Sequence, residues 1–131
     1  MRAAYSVAFA ALVAGCQAGS YIEPSFVDAG GNVASEITDV LVRRHGVERS
    51  QVWIVEPEQS EHPFAATVPA SVQGAGFGVS PEGAPLLYYV TTLYDGVLLR
   101  VQYLGDWTAR FFRRSRGELS VAGPATLRKG G

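Results

Sequence analysis

The sequence predicts a small single α+β domain, with two helices packed on one face of an antiparallel sheet of about four or five strands. The expected order is α-β-α-β-β-β-β. Three observations predict it: apolar residues at helical spacing over 33–45 and again over 63–72, strict alternation over 86–104 around Asp95-Gly96, and a lone cysteine closing a short apolar run at the N-terminus. The division that follows is a signal segment over 1–15, an extended tether over 16–32 and the domain over 33–131.

Leu12-Val13-Ala14-Gly15-Cys16 looks like a bacterial lipobox, with cleavage between Gly15 and Cys16 and a lipid on the Cys16 thiol. Arg2 supplies the positive start, and Ala3 to Ala14 is apolar apart from Tyr5 and Ser6. Twelve residues are too few for a permanent helical span, which needs about 20. Gln17 stands where, by resemblance to Gram-negative lipoproteins, an aspartate favours inner-membrane retention, so the expected location is the periplasmic face of the outer membrane.

Removal of the first 15 residues would leave 116 of the 131, the size of one domain. Cys16 is the only cysteine, so no intrachain disulfide is possible and packing must hold the fold. Net charge is −1, falling to −2 without Arg2, which excludes a globally basic DNA binder. The charge is polarised, with eight acids against three arginines over 23–61 and seven bases against two acids over 96–131.

In the tether, Gly, Ser and Pro residues surround Tyr21, Ile22, Phe26 and Val27, more apolar residues than a solvated linker needs. The first helix is expected over 33–45: Asn32 caps it, Val33, Ile37, Val40 and Leu41 form its buried stripe, and Gly46 ends it. Asp39 and Arg43 are placed to pair at i, i+4. His45 reads as a helix-end residue. Gln51 to Val55 alternates as a short strand, and Glu56, Glu58 and Glu61 follow in a polar loop. Pro63 opens a second helix with a Phe64, Val68, Val72 stripe, which Pro69 should kink or split. Gly74 and Gly76 close it before a strand starting at Phe77. The glycines there do not make a phosphate loop, because they follow a helix and precede a strand.

Leu86 to Leu104 reads as a hairpin with an Asp95-Gly96 turn pairing Tyr94 with Val97. Tyr88, Val90, Thr92, Tyr94, Val97, Leu99, Val101 and Tyr103 then share the helix-covered face. The other face carries Leu87, Tyr89, Thr91, Leu93, Leu98, Arg100, Gln102 and Leu104; Leu87, Tyr89, Leu93, Leu98 and Leu104 make it too apolar for plain solvent exposure, and it is expected to meet a partner subunit. The next strand, 108–115, is expected after a three-residue loop, Gly105 to Trp107, which sends Ala109 and Phe111 to the core and keeps Arg110 and Arg114 out of it. Arg110, Arg113, Arg114 and Arg116 would then decorate an outer strand. Phe112 and Trp107 could stack on bases beside them, but the negative net charge argues against nucleic acid. Glu118 to Val121 adds a short strand, ended by Gly123-Pro124.

The chain also resembles the conjugal transfer lipoproteins of the TrbH family. The residues that carry this are Gln51 to Val55, Pro63-Phe64-Ala65 leading to Gly76-Phe77-Gly78-Val79, the strand pair at Leu87-Tyr88-Tyr89-Val90 and Leu98-Leu99-Arg100-Val101, and the basic close from Gly117 to Lys129. Pro69 and the Gly74-Ala75-Gly76 approach depart from that family's Leu- and Arg-rich helix. The resemblance implies a structural lipoprotein of a conjugative type IV secretion apparatus in the outer membrane, with other channel subunits as partners. It brings no catalytic residues or cofactor. With two histidines, His45 and His62, no nucleophile elbow and no metal-ligand spacing, the chain reads as a non-enzyme. A free-standing periplasmic lipoprotein that binds a ligand or cell-wall component is the other reading.

Overall fold

In the computed structural model, which describes residues 19–46 and 51–129, the chain forms α+β architecture with two helices against an eight-stranded sheet. The strands are β1 (Tyr21–Ile22), β2 (Gln51–Ile54), β3 (Gly78–Val79), β4 (Ala84–Leu93), β5 (Gly96–Tyr103), β6 (Asp106–Ser115), β7 (Glu118–Val121) and β8 (Thr126–Lys129). The helices are α1 (Asn32–His45) and α2 (Pro63–Gly74). The sheet runs β3-β2-β4-β5-β6-β7, with β1 beside β4 and β8 beside β6. It is mixed, not purely antiparallel: β1 and β2 both pair with β4 in parallel, and β3 pairs in parallel with β2.

The strand expected from Phe77 is the two-residue β3, and the strand number exceeds expectation because β1 and β8 show no periodicity of their own. The largest consequence lies in the expected tether. Ser20 accepts the Tyr88 amide on its hydroxyl, Glu23 N–H bonds the Val90 carbonyl, and Ile22 and Phe26 are buried in the main core. Of the 16–32 segment, residues 20–28 therefore belong to the domain. Residues 1–18, including the signal segment and Cys16, lie outside the described residues.

The α1 stripe is as expected, with Val33, Ile37, Val40 and Leu41 buried. Its cap is not Asn32. Gly31 takes the cap position with φ 73°, and Asp28 reaches forward so that its two carboxylate oxygens accept the Val33 and Ala34 amides, each at 3.0 Å. Asn32 is instead helical and donates to the Leu119 carbonyl, tying α1 to β7. Asp28→Ala should cost about 1 kcal/mol of stability, read by chemical denaturation. Arg43 pairs with Glu36 at 3.2 Å in place of the expected Asp39. The second helix begins at Pro63 and runs unsplit through Pro69 to Gly74. Thr38 and Ser71 hydroxyls, 2.7 Å apart, link the helices.

The hairpin turn is Tyr94-Asp95, so Leu93 faces Gly96 and Thr92 faces Val97. This register is two residues from the expected one, and an even shift keeps each side chain on its face. Tyr88, Val90, Val97, Leu99, Val101 and Tyr103 are thus in the core as expected, whereas Tyr94 is fully exposed in the turn. Gly96 sits inside the ladder because a Cβ there would collide with the Phe112 carbonyl and the Phe111 ring.

The β5–β6 connection corrects the expected three-residue loop. Leu104 (φ 52°) and Gly105 (φ 83°) are both left-handed, the signature of a two-residue type I′ turn. Tyr103 then faces Asp106. The odd change of register swaps the faces: Phe112 and Thr108 are buried, Arg110 points to the helices, and Ala109 and Phe111 go to the other side. The inward arginine is met by Glu36, 5% exposed on α1, at 3.2 Å from Arg110 Nε, and Arg110 Nη1 donates to the Gly123 carbonyl at 2.7 Å. β6 is not an edge, since β7 and β8 cover its outer side.

Candidate functional site

Both helices pack on one face of the sheet, and the register fixes what the opposite face displays. Across the strands run three rows: Leu87, Gln102, Trp107 and Arg128; then Tyr89, Arg100, Ala109 and Thr126; then Thr91, Leu98 and Phe111. Of the five residues expected on this face, Leu87 and Tyr89 are each 9% exposed and form a second apolar cluster with Val55 and Trp107. Leu98 is half-buried at the centre, and Leu93 is exposed at the hairpin end. Leu104 leaves the face, because it occupies the turn, where it is largely exposed.

Arg100 and Gln102 lie on this face as expected, whereas Trp107, Phe111 and Arg128 were not expected on it. The Tyr89 and Trp107 rings stack at 5.8 Å between centroids and 24° between planes. The Arg100 guanidinium carbon lies 5.2 Å from the Tyr89 centroid and 5.6 Å from that of Trp107, within cation–π range. Among the described residues neither Arg100 nor Arg128 forms an ion pair with a carboxylate. The face therefore joins aromatics and arginines, residue types enriched where proteins dock, with leucines beside them. The type I′ turn was the missing signal: once Leu104-Gly105 is placed, alternation brings Trp107 and Phe111 to this side.

His62, His45 and Tyr88 have capping or packing contacts away from this face. His62 Nδ1 accepts the Phe64 amide at 3.1 Å and Nε2 donates to the Phe26 carbonyl at 3.0 Å, so one neutral tautomer caps α2 and holds residue 26. His45 packs edge-on against Tyr103 at 4.8 Å. Desolvation there holds its pKa below the ordinary 6.5, Asp106 opposing the shift and Arg44 adding to it. A histidine depressed in the folded state costs stability as pH falls, from the unfolded value through the folded one. His45→Gln should therefore flatten part of the loss of unfolding midpoint below about pH 6.5. Tyr88, fully buried in the core, has its hydroxyl pKa pushed up by burial and then by Glu56.

Glu56, Glu58 and Glu61 are exposed in the loop after β2, as expected. Among the described residues no three His, Cys, Asp or Glu side chains gather as a metal site, and no helix is long and apolar enough to cross a membrane. A half-open groove of about 420 Å³ lies between residues 24–28 and the start of α2, lined mostly by apolar atoms of Pro24, Phe26, Val27, Pro63 and Phe64. Comparison of the chain with known protein families, with curated proteins and with solved structures finds no match.

Proposed function

We propose that this chain is a lipid-anchored structural subunit of an outer-membrane assembly, a conjugative type IV secretion apparatus being the reading that its resemblance to the TrbH lipoproteins favours. The observation that supports docking is the sheet face opposite the helices, where Arg100 lies over Tyr89 and Trp107 beside Leu87 and Leu98. Cys16 with its acyl chains would hold the domain at the periplasmic surface, and more than one chain is needed for stable anchoring. The sheet face would then meet another channel subunit, with no catalytic step and no cofactor. A lipoprotein that binds a small ligand in the apolar groove beside Phe26 is the second reading.

The test compares wild type with Cys16→Ser and with an Arg100→Glu, Leu93→Glu pair, both exposed positions. Palmitate label should appear on wild type and on the face variant and vanish from Cys16→Ser. Plasmid transfer should fall about tenfold or more in the face variant, as expected for a charged anchor at an interface. Full transfer by the face variant rules out docking through this surface, and absence of label on wild type rules out the anchor.

A further inference from the structure

We propose that copies of this chain associate head to tail, the acidic loop 56–61 of one copy seated on the open β8 edge of the next. The two surfaces lie at opposite margins of one sheet. β1 and β3 form one margin, and the loop after β2 borders it, since the Gln59 side chain accepts the Ile22 amide. Glu56, Glu58 and Glu61 are exposed there, beside Tyr21 and Val27, both exposed apolar residues. The other margin is β7 and β8. Arg128 and Lys129 are exposed on β8 and Arg116 in the β6–β7 turn, with Val121 of β7 and Leu127 of β8 as exposed apolar residues. Glu118 is the exposed acid on β7, and Asp106, opposite Lys129 across the β6–β8 pair, is bonded to Arg44 at 3.5 Å.

The strand edges decide which part of the basic margin is available. The outer edge of β7 is engaged by its own chain: Leu119 N–H bonds the Ala29 carbonyl and its carbonyl accepts from Asn32. β8 pairs with β6 on one side, and among the described residues no strand pairs with its other side. An unpaired strand edge is a template for added chain, and its sign of charge selects what is added. The acidic margin of a second copy has the complementary charge and its own apolar residues. Such a contact is heterologous, leaves one margin free on each end copy, and builds rings or chains instead of closed dimers.

Arg128 also ends a row of the sheet face proposed above to meet another subunit, whereas Lys129, opposite Asp106, lies on the other side of the sheet, and rescue by reversal of the acidic loop belongs to this contact alone. Sedimentation of the full lipid-bearing chain in detergent tests it. At low ionic strength, species beyond the dimer should grow with protein concentration, and salt should dissolve them, because these charges are exposed and screened. Arg128→Glu with Lys129→Glu should weaken self-association about tenfold, and adding Glu58→Lys with Glu61→Lys to the same chain should restore it. A single monomeric species at every concentration overturns the proposal. So does a dimer that charge reversal leaves unchanged, or a failure of the combined reversal to rescue.

Discussion

Arg110→Leu should lower the unfolding free energy by about 3 kcal/mol, and Glu36→Leu by a similar amount, because each strands a buried charge. Glu36 has a side chain 6% exposed and lies 3.2 Å from Arg110 Nε, whose own side chain is 17% exposed. Arg43 reaches the same carboxylate oxygen from a more open position, so it softens the loss of Arg110 without replacing it. Domains of this size are stable by only about 5–15 kcal/mol, so either single change consumes a large share. The double variant Glu36→Leu, Arg110→Leu should recover much of the loss, since a buried pair and a well-packed apolar pair are often of similar stability. Urea titrations of the four proteins measure this. Single variants within 1 kcal/mol of wild type would show that water reaches the pair and that α1 is not held by it.

Phe26→Ala should cost about 3–5 kcal/mol, although the residue stands in a stretch that reads as a linker. Its ring is 1% exposed, meets Phe64 edge-on at 5.0 Å and stacks over His62 at 6.2 Å. The same substitution at Val27, 64% exposed, should change stability by no more than about 0.5 kcal/mol. Thermal unfolding of the pair of variants separates a packed segment from a tether: equal and small effects would return residues 20–28 to the role of linker.

The long elements were legible because their periods are long enough to count. α1 carries four buried residues at helical spacing, and the β4–β5 pair alternates over most of its length. The faces of that hairpin survived a misplaced turn because the misplacement was even. The next connection shows the opposite case. Loop length was decided by the cost of an inward arginine, yet the compensating Glu36 lies 74 residues away in sequence and no local pattern announces it. A one-residue difference in loop length then exchanged Phe111 for Phe112 and Ala109 for Arg110. For the candidate face the same event explains why Leu87, Tyr89 and Leu98 were legible on it whereas Trp107 and Phe111 were not. β1 and β8 escaped notice for a different reason: strands of two and four residues take their stability from β4 and β6, and leave no signature of their own.

The strand β1 also sets a length. If the lipid is carried by Cys16, three residues separate it from Ser20, whose hydroxyl is already bonded to the middle of β4. Fully extended, the four steps from residue 16 to residue 20 reach at most about 14 Å. A leash that short would hold the globule close to the headgroups and leave it a flat disc of territory to patrol. Whatever it recognised would have to come to within about one protein diameter of the membrane surface, and insertions that lengthen the leash would enlarge that territory without touching the fold.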